Sequence, residues 1–490
     1  MIPDIEVFPI EDQCHYPCSH KQTGKALLSR LKNECVDHLL LRELGAFNIY
    51  KRTEVMNLDV ALLKVSFQQL LQRHDVLRTT FRIMNGEVRQ VIQPVADNTG
   101  VQCFITSGEK AECDSIVDRL IGYEFDFFSE IPVRLGVIAD GTERSVLILT
   151  VNHIASDHYS MEILESELIR IYQNGGLSLT LDRREPGIQL RDYAVSERKV
   201  IADGDYWSFW RKHLGEDLPC GLLIPIFRDG VKKTMQTSSY KDTLTAELQA
   251  AFPNSGSDYL GKLFGVVHRA SSFEGSMFRF FIDEDTCKDM RAFAGRRGKS
   301  MVSVMIAALF SVLGKVSGKS DLVIAMECAI RNEKLNGVLG WLANTVLLRQ
   351  KIDPGNSFEQ LVSNTFEEIM TCINYRALPF EKILLDIDRS IDSFATMYVN
   401  YVNNTSSGIL IKDFSSSHID GGLPYFDMDF FLTEYSNGVD VLLRYKSALF
   451  DRDCIEMISR LFLGTTSLAG TIEKFENSYA YTKREDAKRS

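Results

Sequence analysis

Val151-Asn152-His153-Ile154-Ala155-Ser156-Asp157-His158 is the stretch whose reading decides the fold. It follows SVLILTVN (145–152), an apolar, β-branched run of the kind that forms a buried strand. It precedes a helix expected to begin at Ser160 and to stop at Gly175-Gly176. A loop at a strand's end presents side chains from a rigid support. A histidine there can accept or donate a proton near neutral pH. An aspartate four residues later can return to the loop backbone or pair with an arginine elsewhere. A bare His-x-x-x-Asp is a common chance pattern, for which a structural histidine is the better reading. Its weight depends on what surrounds it.

The whole chain has 490 residues, 45% of them hydrophobic and 25% charged, an ordinary globular balance large enough for two or more structural units. Its formal net charge of −11 argues against a nucleic-acid partner, because phosphate contacts need a basic surface. MIPDIEVFPIEDQ at the start carries acids and prolines where a signal peptide needs a basic, then apolar, run. No segment reaches the roughly 18 consecutive apolar residues that span a bilayer. The ten cysteines are scattered, as expected of reduced thiols in a cytoplasmic protein. Cys14 and Cys18 are separated by three residues and lack a second pair, so no metal site is expected. There is no nucleotide-binding glycine loop, no G-x-S-x-G elbow and no H-E-x-x-H. Asn174-Gly175-Gly176-Leu177-Ser178-Leu179 resembles a carrier protein's serine motif only superficially, since its glycines follow a helix and read as a C-cap.

Outward from the opening stretch, helices and strands alternate. A helix over 58–73 has Asn57 as its expected N-cap and Leu62, Val65 and Leu70 on one face. Further helices are expected over 286–297, ending at Gly298, over 301–315 after Ser300, and over 358–374 behind a Ser357–Gln360 capping box. Pro379 opens another. Residues 321–328, 345–352 and 438–446 read as strands. The pattern is α/β, with α+β layers. Residues 175–190 are the candidate linker, 228–275 an irregular insertion, and the polar tail from Glu473 is expected to fray.

Other segments fall in a recognisable order. Arg73-His74-Asp75-Val76-Leu77-Arg78-Thr79-Thr80-Phe81 is followed by Phe125-Asp126 and Ile131-Pro132-Val133-Arg134, then by the His153 stretch. Arg191-Asp192-Tyr193-Ala194, Tyr206-Trp207 and Trp210 come next. Gly340-Trp341-Leu342-Ala343-Asn344-Thr345, Leu378-Pro379-Phe380-Glu381 and Tyr445 with Leu449-Phe450-Asp451 complete the set. Together they resemble the condensation-domain superfamily of nonribosomal peptide synthetases, whose core motif H-H-x-x-x-D-G is matched by His153 and Asp157. Ser19-His20-Lys21-Gln22 loosely echoes the family's S-x-A-Q. Asn152 stands in place of the first histidine and His158 in place of the glycine. A heterocyclising relative would carry aspartate at 152, and the further motifs of an epimerisation domain are not seen.

The resemblance implies two chloramphenicol-acetyltransferase-like subdomains, 1–177 and 178–490, set in a V around a central tunnel. It implies acyl transfer from a thioester to an amine, or secondarily an alcohol, at His153. Asp157 would be structural, with Arg331 or Arg279 as its partner. Asn152 and His158 would line the cavity or shape the loop. Asn344, Trp341, Tyr398 and Asn400 are tunnel candidates, although Asn344 suits a backbone-bonding role equally and Trp341 suits the core better. No permanently bound cofactor or metal is expected, and the substrate would arrive on the phosphopantetheine arm of a carrier protein. Carriers are commonly acidic, so Arg183-Arg184, Arg296-Arg297-Lys299 and Lys21, Lys25, Arg30 and Lys32 are candidate docking clusters. The competing readings are a non-catalytic module that recruits other proteins and a coenzyme A-dependent acyltransferase.

Overall fold

A computed structural model of the chain describes residues 7–9, 15–34, 48–95, 101–106, 109–139, 143–176, 187–215, 217–219, 275–353, 355–387, 395–403, 424, 426–447 and 449–489. The apolar run 145–152 forms the end of β7 (Arg144–Asn152), and its last five residues are all buried. It is central in a four-stranded sheet of order β2-β7-β6-β5, built with β2 (Asn48–Met56), β5 (Val101–Ile105) and β6 (Val133–Ala139). A strand with neighbours on both sides and helices over both faces needs apolar residues on both faces, which is why this run does not alternate. The covering helices are α2 (Val60–Arg73) and α4 (His158–Gln173), with α3 (Lys110–Ile121) packed on β2, β6 and β7. A small sheet of β1 (Tyr16–Pro17), β3 (Thr79–Met84) and β4 (Glu87–Ile92) lies beside α1 (His20–Glu34).

After α5 (Leu190–Ala202) and α6 (Gly204–Leu214), the later residues build a six-stranded sheet, β10-β9-β11-β12-β13-β8. Its strands are β8 (Gly275–Asp283), β9 (Asp321–Ala329), β10 (Ala343–Lys351), β11 (Ala395–Asn403), β12 (Met428–Tyr435) and β13 (Gly438–Lys446). The helices are α7 (Glu284–Arg296), α8 (Met301–Ser317), α9 (Phe358–Asn374), α10 (Phe380–Ile387) and α11 (Arg452–Arg489). α8 is buried nearly all round, as its MVSVMIAALFSVL sequence requires. The mixed α/β layering matches expectation. Among the described residues no single helix is long and apolar enough to cross a membrane.

Several boundaries differ from the sequence reading. α2 is capped by Asp59, whose carboxylate accepts from Leu62 N, while Asn57 is in the turn leaving β2 with φ +52°. Its buried stripe is Leu63, Phe67, Leu70 and Leu71, and Val65 is exposed. α4 begins at His158 because Asp157, not a later residue, caps it. α8 runs on to Ser317, where the left-handed Gly318 stops it. The tail expected to fray continues as helix to Arg489. Residues 177–186 of the linker and 220–274, which include most of the insertion, lie outside the described residues.

Candidate active site

β7 delivers the chain to a tight turn at Asn152, and the turn is held by that residue's amide. Asn152 Nδ2 donates to Asn48 Oδ1 at 2.9 Å and its Oδ1 accepts from Ile154 N at 3.0 Å. Asn48 in turn donates to the carbonyls of Ile121 and Tyr123. Asn152 is thus a buried loop brace that uses both ends of its amide.

Asp157 closes the other side of the loop. Its Oδ1 accepts from Ser160 N at 2.8 Å and from Arg331 Nη2 at 2.7 Å, and its Oδ2 accepts from Leu342 N at 2.9 Å. Ser160 Oγ is 2.7 Å from Oδ1 and accepts from Gly340 N at 3.1 Å. Arg331 also donates to the carbonyls of Leu335 and Val338 and lies over the Tyr159 ring. The loop after β7 and segment 331–342 are therefore one hydrogen-bonded unit. Gly340 is required in it: φ is +150°, and a Cβ would come within 2.5 Å of Leu190. Burial alone would raise the Asp157 carboxyl, but Arg331 and Ser160 outweigh it and hold it below the usual carboxylate range. Arg331 is accordingly the partner. Arg279 is not: it is on the edge strand β8, largely exposed, and pairs with Asp440 at 2.7 Å.

Between these braces His153 is half-buried, its ring centre 4.2 Å from that of Trp341. Its Nδ1 is buried and makes no hydrogen bond of ordinary geometry. Burial pushes the imidazole down to about 4; Asp157 opposes this, while Lys25 and Lys21 add to it. The ring is therefore held in its neutral form at pH 7. Trp341 packs on this ring as well as under a cation, since Lys21 Nζ is 4.7 Å from its centre, so it is more than core filling.

Lys21, a surface charge on the sequence reading, donates instead from Nζ to the Ala343 carbonyl at 2.7 Å. The start of α1 places it there, where Ser19 and Gln22 exchange hydrogen bonds in a capping-box pattern. Glu327 on β9 is a second residue that sequence reasoning does not single out. It accepts from the Tyr398 hydroxyl and, at 3.3 Å, from Asn400 Nδ2. Burial raises its carboxyl; Tyr398 and Lys21 oppose this and Asp157 adds to it. An acid interrupting the apolar run after Asp321 in DLVIAMEC is the signal that could have found it. Tyr398 and Asn400 thus meet at Glu327.

Other candidates are placed elsewhere. Asn344 is 1% exposed; it donates to the Arg376 and Leu378 carbonyls and accepts from Phe380 N, so it braces backbone. His158 is the first residue of α4, its Nε2 3.9 Å from Glu162; burial lowers its pKa against the pull of Glu162. Of the docking clusters, Lys25 is buried, and Arg297 and Lys299 pair with Glu359 and Glu367, each at 2.8 Å. Cys14, Arg183, Arg184 and the side chains of Arg30 and Lys32 lie outside the described residues.

The condensation domain model matches residues 46–258 and 267–488. Surfactin synthase subunit 1 of Bacillus subtilis (strain 168) is 24% identical over 461 residues, covering 92% of this chain and 11% of its own length. Gramicidin S synthase 2 of Brevibacillus brevis is 22% identical over 474 residues, covering 94% and 9%. This chain therefore spans about a tenth of the length of these curated relatives. Among solved structures, the X-domain from teicoplanin biosynthesis superposes with a TM-score of 0.72 at 20% identity, covering 95% of this chain and 97% of that one. The condensation domain from the Monacolin K polyketide synthase superposes at 0.68 and 14%, covering 94% and 98%.

Proposed function

The chain belongs to the condensation-domain family, and on that basis we propose that it is an acyltransferase in nonribosomal peptide or related biosynthesis. It moves an acyl group from a thioester, borne on a carrier protein's phosphopantetheine arm, to an amine or secondarily an alcohol. The division into two chloramphenicol-acetyltransferase-like subdomains, 1–177 carrying the His153 motif and 178–490, is part of the same proposal. The observation that carries it is a neutral imidazole, His153, held against Trp341 by a loop that Asp157 and Arg331 fix.

In this reading the acceptor nitrogen attacks the thioester carbonyl. A C–N bond forms, the C–S bond breaks, and the nitrogen's proton passes to His153 Nε2 and then to the departing sulfur. A thioester is already activated, so the step draws on no nucleotide. Glu327, which accepts from Tyr398 and Asn400, is in this reading a polar partner for the acceptor's amine.

The test incubates the purified chain with acyl-carrier thioesters and a pool of amines and reads product by mass. Amide formation that His153→Ala removes supports the proposal. Carrier binding without turnover would replace it with a recruiting module; the likeness to the X-domain, which has been solved in complex with OxyB, gives that reading its footing. Equal turnover of coenzyme A thioesters would replace the carrier with coenzyme A.

A further inference from the structure

The last turn of α6 carries His213, where the helix packs against α9 and the edge strand β10. Glu368 and Cys372 are one helical turn apart on α9, hence on the same face. Their donor atoms converge with that of His213. His213 Nε2 is 3.0 Å from Glu368 Oε1 and 3.5 Å from Cys372 Sγ, and Sγ is 3.7 Å from Oε1. The Leu347 carbonyl, on the outer side of β10, lies 3.3 Å from Nε2 and 3.5 Å from Sγ. All three side chains are largely or wholly buried.

We propose that His213, Glu368 and Cys372, with the Leu347 carbonyl, form a binding site for a zinc-class divalent cation. A tetrahedral ion with sulfur at about 2.3 Å and nitrogen and oxygen at about 2.0–2.2 Å has ligand-to-ligand edges of about 3.4–3.6 Å. The nitrogen–sulfur edge, 3.5 Å, already has that length, the oxygen–sulfur edge, 3.7 Å, is slightly longer, and the nitrogen–oxygen edge, 3.0 Å, needs to open by a few tenths of an ångström. Thiolate, carboxylate and neutral imidazole together carry the charge that balances a divalent ion. Binding exchanges the Cys372 proton for the metal and releases it to solvent, with the imidazole's proton on Nδ1.

The surroundings hold the ligands in place. Phe209 stacks on the His213 ring at 5.1 Å and on Tyr375 at 3.6 Å, and Trp210 Nε1 donates to the Tyr375 carbonyl. Arg349 N donates to Glu368 Oε1 at 2.7 Å, orienting the carboxylate. No local spacing betrays this set, because His213 and Cys372 are 159 positions apart. The ion would tie α6, which follows the crossover between sheets, to α9 and β10, so the site is independent of the acyl-transfer chemistry.

The whole chain, stripped with chelator and kept reduced, is titrated with Co²⁺. One equivalent binds, with a thiolate-to-cobalt band in the near ultraviolet and the intense visible bands of a tetrahedral ion. Zn²⁺ displaces it and raises the melting temperature. Cys372→Ser loses the thiolate band, His213→Gln weakens binding at least tenfold, and Cys103→Ser, at an exposed thiol, changes neither. A wild-type chain that shows no thiolate band at one equivalent overturns the proposal, as does a band that survives Cys372→Ser. If Cys372→Ser fails to fold, Glu368→Gln decides: unchanged Co²⁺ affinity in that variant refutes the site.

Discussion

As the base of the proposed reaction, His153 must be unprotonated when the amine attacks. A histidine near its ordinary pKa would be largely protonated at pH 6, whereas this ring is held down to about 4 by burial. In an NMR titration the ring carbon-bound protons missing from His153→Ala should stay in place between pH 8 and 5.5. Movement centred near pH 6.5 would show an ordinary, solvated ring. Acyl transfer by His153→Ala should fall by about 10²–10⁴-fold, the usual scale of a lost general base, with the melting temperature little changed. Glu327→Gln should raise the Michaelis constant for a cationic amine acceptor more than it lowers the turnover number; the reverse split would place Glu327 in the chemistry. Asp157→Ala leaves Arg331 buried without its carboxylate, which costs about 3–5 kcal/mol. Chemical denaturation should show that loss together with lost activity. Because the Asp157 carboxyl is held low, its stabilisation is present above the usual carboxylate range and disappears as pH falls through the lowered folded value.

At the scale of elements, what can be read from sequence is what local chemistry determines. The apolar run of β7, the continuous apolarity of α8 and the Ser357–Gln360 box of α9 each settle their own element. The start of α2 escapes that reading because two cap-competent residues compete there, and the left-handed Asn57 is taken by the turn. Lys21 and Glu327 escape it for another reason: both are local charges whose partners are remote, Ala343 for one and Tyr398 for the other. Gly340→Ala tests the loop as an element. It places a side chain at positive φ against Leu190, at a cost of about 1–3 kcal/mol, and acyl transfer should fall with it although no reacting group is altered.

Across the whole molecule, the early and late residues also meet at a buried carboxyl. Glu197 on α5 accepts from His20 N and from the Tyr193 hydroxyl. Burial raises its pKa to about 7, against those two bonds and with Glu381 adding to the rise. The folded state therefore binds this proton more tightly than the unfolded one, and its contribution is lost as pH rises from the usual 4.5 through about 7. Glu197→Gln should flatten the pH dependence of stability and melt higher than the wild type at pH 8; an unchanged slope would place the ionisation elsewhere.

The clasp of Asp157, Arg331 and segment 338–342 has one more consequence, in time as well as space. A motion that drew that segment off the β7 loop would expose His153 more fully and raise its affinity for protons towards the ordinary value. At pH 6 an opened molecule would then capture a proton and release it on closing. Transient proton uptake, followed with an indicator dye during turnover, is the expected signature of such openings, and its absence would show that the clasp stays closed.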